Sequence, residues 1–364
     1  MARAVARVDL DAVAHNVRTM AAAAPAARLC AVVKANGYGH GAVACARAAQ
    51  RAGASWLATA GAVEAAELRA AGIEGPLLVL GSLDAEDLAI ALDARADIVV
   101  WEEDVLATLP SHARVHVKLD TGMGRLGTRD PQQATRVVEA AGERLVGAMM
   151  HFATADDRQD PFFDEQLARF TAWVAPLRAA RPDLLVHAAN SAATLRDAAA
   201  HFDMIRPGIA LYGLDPFGED AAARSLRPAL TLTSRVAAVK ACAAGQSAGY
   251  GRRFLAATDT VLATVPVGYG DGWRRATTGR ADVRIGGRAY PQVGTVSMDN
   301  ITVDLGPGGG GVQVGDEVVL VGPGLSAETV AARSDTINYE VTTALLPRTQ
   351  RVHHRSGVPE GGRA

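Results

Sequence analysis

Residues 31–60 read AVVKANGYGHGAVACARAAQRAGASWLATA: a short apolar run, a glycine-rich turn, an Ala-rich amphipathic stretch and a second short apolar run. That order predicts a strand, a helix and a strand lying parallel to the first. The pattern recurs. Strands are expected at 31–36, 56–60, 77–81, 97–100, 114–120, 145–152, 185–190 and 203–206, most of them separated by helix-length segments such as AVEAAELRAAG and DEQLARFTAWVAPLRAA. Eight strands alternating with helices imply an α/β fold built on a closed (β/α)8 barrel, with an open doubly wound sheet as the competing arrangement. After about residue 225 the texture changes to short β runs split by glycine-rich turns, TLTSRVAAVKA through DEVVLVG, followed by an expected helix across 326–346. The chain therefore divides into a barrel over 1–225 and a mostly β domain over 226–364, joined by the Pro-, Gly- and charge-rich seam LDPFGEDAAARSLRPA.

Composition narrows the function. Of 364 residues, 37 are Lys or Arg and 39 are Asp or Glu, a net charge of −2, and only 5% are aromatic. Neither a basic face nor a base-stacking surface is implied, so nucleic acid is not an expected partner. The three cysteines, Cys30, Cys45 and Cys242, stand far apart without a CxxC pair, which argues against a disulfide framework or a cysteine zinc site. Charges in the first eleven residues leave no signal-peptide core, and no stretch of eighteen residues runs apolar without a charge. A cytoplasmic enzyme with no metal and no membrane partner is the expectation.

In a barrel of this type the C-terminal strand ends form the active-site mouth. Here those ends carry Lys34, then Lys118 and Asp120, then His151, then Asn190 and Ser191, then Arg206. Turn residues or apolar fillers would be ordinary there; a run of ionisable and polar groups is not. A lysine at such a mouth loses hydration and becomes a nucleophilic amine toward carbonyls.

The motifs around these residues resemble those of the alanine racemases. AVVKANGYGHGA (31–42) is similar to that family's pyridoxal 5'-phosphate (PLP) signature. VHVKLDTGMGRLG, HFATAD, HAANSAAT, RPGIALYG, VGYGDGW and INYEV follow in the family's order, from about residue 6 to 352. The resemblance implies that Lys34 carries PLP and acts as one of two catalytic bases. Tyr250, in AGYGRRF, corresponds to the second base, which the family supplies from the partner subunit of a homodimer. Two bases on opposite faces of a planar carbanion are what racemisation needs. Tyrosine is a weak base with an ordinary pKa of about 10, and the resemblance implies help from His151, Arg206, His187 and Tyr269.

Arg206 matches the residue facing the pyridine nitrogen, where a guanidinium donates a hydrogen bond without surrendering its proton and so moderates the cofactor as an electron sink. Tyr38, Asn190, Ser191, Gly208, Ile209 and Tyr339 correspond to cofactor contacts, mainly to the phosphate. Arg125 corresponds to a contact of the phenolic oxygen and the substrate carboxylate, and Met298 with Asp299 to the segment that closes the pocket. Lys118 matches a lysine carbamylated in some relatives, where the added negative charge holds the arginine. The implied reaction is interconversion of L- and D-alanine, supplying D-alanine for peptidoglycan. Ser297 stands where many relatives have Cys, Gly249 where Ser is more usual, and ALLPRTQRVHH follows the family's ending loosely.

Other readings compete. GMGRLG (122–127) fits a dinucleotide loop by pattern alone, and GQSAG (245–249) fits a serine-hydrolase elbow with Asp271 and His353 downstream. Within PLP chemistry, a single-barrel regulator would lack the β domain, and a decarboxylase of related fold would not be expected to carry the Arg206 motif with Tyr250. A serine or broad-specificity racemase and a noncatalytic PLP-binding protein remain as alternatives.

Overall fold

The structure is a computed structural model that describes residues 3–356, 358 and 359. The described residues form two compact units: one of residues 13–217, the other of those before 13 and after 217.

The strands are β1 Val5–Asp9, β2 Arg28–Val32, β3 Trp56–Thr59, β4 Leu77–Val79, β5 Asp97–Val100, β6 Val115–Lys118, β7 Leu145–Met149, β8 Leu185–His187 and β9 Met204–Ile205. Strands β2–β9 are all parallel, in the order β8-β7-β6-β5-β4-β3-β2-β9. The outer members meet: the Asp203 N–H donates to the Val186 carbonyl at 2.9 Å and the Arg206 N–H to the Ala189 carbonyl at 2.8 Å. The sheet is thus a closed barrel, which the alternation along the chain implied but could not distinguish from an open sheet.

Almost every barrel-strand residue is buried, as expected where one face fills the barrel and the other receives helices. The helices show why. One spans Pro131–Ala141, starts with the Asp130 carboxylate accepting from the Gln132 N–H at 2.9 Å, and buries Ala134, Val137, Val138 and Ala141. That i, i+3, i+4, i+7 spacing makes a single apolar stripe, and proline at the first helical position sacrifices no hydrogen bond.

The second unit is a sheet of ten strands. It comprises β1 with β10 Leu230–Arg235, β11 Ala238–Cys242, β14 Thr260–Val265, β15 Asp282–Ile285, β16 Arg288–Val293, β17 Ile301–Asp304, β18 Glu317–Val321, β19 Gln350–Arg355 and β20 Val358–Pro359; a separate hairpin pairs β12 Ser247–Ala248 with β13 Phe254–Leu255. β1 is interior to this sheet, antiparallel to β10 and parallel to β19. A division by texture along the chain assigns the first residues to the barrel. Ala6 and Val8 are buried while Val5, Arg7 and Asp9 between and around them are not, and their backbone pairs 220 residues or more downstream.

Several strands are shorter than expected, and two differences change the local structure. The apolar run AVVKAN does not continue as a strand: β2 ends at Val32, and Ala35, Asn36, Gly37 and Tyr38 all take positive φ between 51° and 63°. The expected helix over 326–346 is two short helices, Ala327–Arg333 and Asn338–Thr343, interrupted at Asp335 with φ 56°. Cys30, Cys45 and Cys242 are buried free thiols. Among the described residues no helix is long and apolar enough to cross a membrane, and no group of three His, Cys, Asp or Glu side chains is placed to hold a metal.

Candidate active site

In the barrel unit the site begins where β2 ends. The Val33 N–H makes the last rung to the Ala58 carbonyl at 2.8 Å, and Lys34 follows, half-buried. The next residues turn left-handed, at about 1–2 kcal/mol for each residue with a Cβ. Side chains hold that turn in place. Glu64 accepts the Ala35 N–H at 2.6 Å and the Ala60 N–H at 2.8 Å, and the Asn36 carbonyl oxygen of the side chain accepts the Ala42 N–H at 2.9 Å. Burial, with Arg125 next, lowers the Lys34 pKa, against a smaller opposing pull from Glu64. Glu64 was not singled out in the sequence, although a glutamate three residues after Gly61 occupies the position of a capping residue.

Lys118, the last residue of β6, is buried, and its pKa is brought down to about 8 by burial first, then by Arg206, Arg125 and Lys34 against Asp120. The loop after it is organised by Asp120. Its carboxylate accepts the Gly122 N–H at 3.0 Å and the Gly124 N–H at 3.0 Å, and Arg129 Nε at 3.2 Å. Burial alone would raise Asp120; these donors hold it below the usual carboxylate range. The amides of GMGRLG are thus turned toward a carboxylate of their own loop, which leaves the dinucleotide reading without its phosphate cradle. Gly127, at φ 109°, lets the chain pass Lys118: a Cβ there would lie 3.1 Å from Lys118 Cγ and from two backbone atoms. Arg125 is exposed on this loop.

Gln166, fully buried, ties two mouth loops together. It donates to Thr121 Oγ1 at 3.1 Å and to the His151 carbonyl at 3.3 Å, and accepts the Ala153 N–H at 2.8 Å. Nothing in the sequence marked it, because a glutamine on a helix face ordinarily faces solvent.

Around β8 and β9 the polar groups converge. Asn190 caps the helix Ser191–Arg196 by accepting the Ala193 N–H at 2.9 Å. The buried Ser191 hydroxyl accepts the Gly208 N–H at 3.0 Å and the Ala210 N–H at 3.3 Å, which folds the strand-nine loop, including Ile209, back over the helix start. Tyr38 lies against Gly208, where a Cβ would come within 2.2 Å of the phenolic oxygen. Burial raises the Tyr38 pKa. Arg206 is buried and faces four acceptors: Met150 O at 2.8 Å, Ala188 O at 3.0 Å and, more distantly, His151 Nδ1 at 3.5 Å around Nη2, and His187 Nδ1 at 2.8 Å from Nη1. Burial and then Arg206 push both histidines well below their ordinary pKa, with Arg125 acting further on His151 and His116 on His187.

The other unit carries Tyr250, Tyr269, Met298, Asp299 and Tyr339. Tyr250 is 73% exposed at the tip of the β12–β13 hairpin, and its carbonyl accepts from Thr295 Oγ1 at 2.8 Å. Gly249 before it has φ 74°, and a Cβ there would meet the Thr295 nitrogen at 2.9 Å. With Gly249, Thr295, Ser297, Asn300 and Thr302, Tyr250 lines a cavity of 360 Å³. Ser247 sits in that hairpin, followed by a single 3-10 turn at Tyr250–Arg252 and no α-helix, and the Asp271 carboxylate accepts from Arg348 and the Gly268 N–H, so the hydrolase elbow is not formed.

The segments VGYGDGW and SMDN are laced together. The Tyr269 N–H donates to the Ser297 carbonyl at 3.1 Å, the Gly270 N–H to the Met298 carbonyl at 2.9 Å, and a Cβ on Gly268 would lie 2.2 Å from the Ser297 carbonyl oxygen. Arg348 locks them, reaching Asp271 Oδ1 at 2.7 Å and Asp299 Oδ1 at 2.7 Å. It comes from the loosely matching C-terminal stretch ALLPRTQRVHH. Tyr339 is half-buried in the helix Asn338–Thr343.

Comparison with known proteins fits this arrangement. The family model described as alanine racemase, N-terminal domain, matches residues 8–216, and that described as alanine racemase, C-terminal domain, matches 229–353. The alanine racemase of Frankia casuarinae is 41% identical over 369 residues, 96% of each chain. A solved alanine racemase from Streptomyces lavendulae superposes with a TM-score of 0.91 at 39% identity, covering 97% of both chains. One from Bartonella henselae, solved with covalently bound pyridoxal phosphate, gives 0.89 at 30% identity, covering 97% of this chain and 100% of that one. Both halves of the protein match in a single order and over nearly their full length, and the chain belongs to the alanine racemase family.

Proposed function

We propose that the protein is a cytoplasmic PLP-dependent racemase that interconverts L- and D-alanine, provides D-alanine for peptidoglycan and works as a homodimer. The observation that carries this is Lys34: a primary amine at the barrel mouth, with its pKa lowered by burial and Arg125, in a family with a member solved carrying covalently bound pyridoxal phosphate.

The residues fit the cofactor. Gly208 leaves bare backbone against Tyr38 where a Cβ would have no room, and Ser191 Oγ, which accepts the Gly208 and Ala210 amides, keeps its own O–H to donate to a phosphate. Tyr38, Asn190, Ser191, Gly208, Ile209 and Tyr339 would hold the phosphate end, His151 would pack against the ring, and Arg206 would donate to the ring nitrogen. PLP, when bound, supplies an electron-accepting ring that acidifies the substrate α-proton.

The chain supplies the rest. Lys34 Nζ takes or returns a proton on one face and Tyr250 Oη on the other, the second group coming from a partner subunit. Arg206 keeps its own proton and so limits charge withdrawal through the ring nitrogen. Arg125 orients the substrate carboxylate, with Met298 and Asp299 bounding its space and Tyr269 and His187 supporting the two ends of the proton network. Lys118, whose amine is deprotonated in part near neutral pH, is suited to carbamylation, which would place a negative charge beside Arg125.

A chiral assay over alanine, serine, lysine and arginine with added PLP tests the proposal. Alanine should racemise fastest, and borohydride should trap the cofactor on the peptide containing Lys34. Tyr250→Phe should lower racemisation at least a hundredfold, more in one direction, with PLP binding held within about twofold; this is the scale of a lost general acid–base group. A protein that takes up PLP on Lys34 but leaves both enantiomers of alanine unchanged overturns the activity.

A further inference from the structure

The interior of a (β/α)8 barrel is ordinarily filled by Val, Ile and Leu. This one is crossed by a polar chain of four buried side chains, each at most 3% exposed: Asp97 from the start of β5, His116 from within β6, His187 from the end of β8 and Arg206 after β9. Asp97 Oδ2 lies 3.2 Å from His116 Nε2, His116 Nδ1 lies 2.8 Å from His187 Nε2, and His187 Nδ1 lies 2.8 Å from Arg206 Nη1. Arg114 Nε, half in solvent, donates to the other Asp97 oxygen at 2.9 Å.

Only one arrangement of protons satisfies these contacts. A guanidinium nitrogen is a donor and never an acceptor, so His187 Nδ1 must be bare. His187 therefore carries its proton on Nε2 and donates to His116 Nδ1, which must also be bare. His116 then carries its proton on Nε2 and donates to Asp97. Reversing the chain, or protonating either ring fully, sets a donor against a donor at one link. We propose that Asp97 and His116 are positioning residues: Asp97 closes the chain that Arg206 directs, and through His116 it holds the His187 ring with its bare Nδ1 toward Arg206, which orients the guanidinium at the barrel mouth.

Independent features agree. Burial would raise Asp97, but the hydrogen bond from His116 and the hydrogen bond and charge of Arg114 oppose it and hold the carboxyl below its ordinary range. The strand beside His116 is cleared for its ring: a Cβ on Gly147 would sit 2.5 Å from His116 Nδ1. The Trp56 ring packs perpendicular to the His116 ring, at 85° and 5.6 Å between centroids. A buried ionic chain is seldom retained for stability, since apolar replacement is often neutral or better. A fully satisfied one fixes orientation. His187 and Arg206 stand in recognisable motifs, whereas Asp97 and His116 lie below the strand ends, within apolar strand runs that mark no site.

The catalytic consequence rests on the racemase reading; the proton order does not. Histidine ring ¹⁵N spectra of the full chain at neutral pH, assigned with His116→Gln and His187→Gln, read the order directly and without cofactor. Both rings should be neutral with the proton on Nε2, and a doubly protonated ring or an Nδ1–H ring at either position overturns the proposal. In the PLP-loaded enzyme, Asp97→Leu should lower kcat about tenfold with KM for alanine within twofold, while Asp97→Asn, whose amide oxygen still accepts from His116, should recover most of it. Equal loss in both variants, or a KM effect alone, counts against a positioning role. If Asp97→Leu does not fold, the wild-type spectra still decide the proton order. If the wild-type protein fails to racemise alanine, it is the activity that falls, and the spectra stand by themselves.

Discussion

Lys118 shows how a single residue reports its surroundings. An unfolded lysine titrates near 10.4, whereas the buried amine titrates near 8. Below pH 8 both states carry the proton and the folded state bears the full penalty of a buried cation beside Arg206 and Arg125. Between about pH 8 and 10 the folded state has released a proton that the unfolded state retains, so stability rises with pH. In CO2-free buffer the melting temperature of the wild type should therefore rise relative to Lys118→Met over that interval and run parallel to it below pH 7. A difference that stays flat throughout would show that Lys118 is not held in a cationic, dehydrated setting. Motif spelling located Lys118, Lys34 and Arg206. It did not locate Glu64, Gln166 or Arg348, which are common surface residue types whose roles depend on what tertiary contact brings to them.

At the scale of elements, the barrel strands were legible because each is a short apolar run bounded by turn residues. The loops were legible as composition and no further. The turn after β2 is an example: AVVKAN has the spelling of a continuing strand, yet four consecutive positive φ values follow Val33 because Glu64 and Asn36 take up the backbone donors of an otherwise costly conformation. Gln166 plays the matching part between the loops after β6 and β7. Gln166→Leu keeps the volume but orphans the Ala153 N–H and releases His151 from Thr121. A buried donor left unpaired costs about 1–3 kcal/mol, and chemical denaturation should show a loss of that size with weaker PLP binding. Unchanged stability would mean that these loops hold themselves.

For the whole molecule, the relation between chain order and domain is the feature that spelling along the chain conceals. β1 belongs to the ten-stranded sheet, between β10 and β19, although the next two hundred residues build the barrel. Removing residues 1–9 exposes two strand edges at once, and limited proteolysis should then cut within 218–364 before 13–217. Cleavage in the reverse order would place the stabilising role of β1 elsewhere. The sequence by itself determined the alternation of eight parallel strands with helices, the change to β structure near residue 225 and the set of polar strand ends, because each is written in local periodicity or in residue type. Tertiary structure alone decided that the sheet closes, that the first strand joins the second unit, that Arg348 clamps two distant loops, and that Asp97 and His116 extend the Arg206 chain through the barrel. Those depend on contacts between residues tens to hundreds of positions apart, and no local pattern encodes which distant partner satisfies a buried donor.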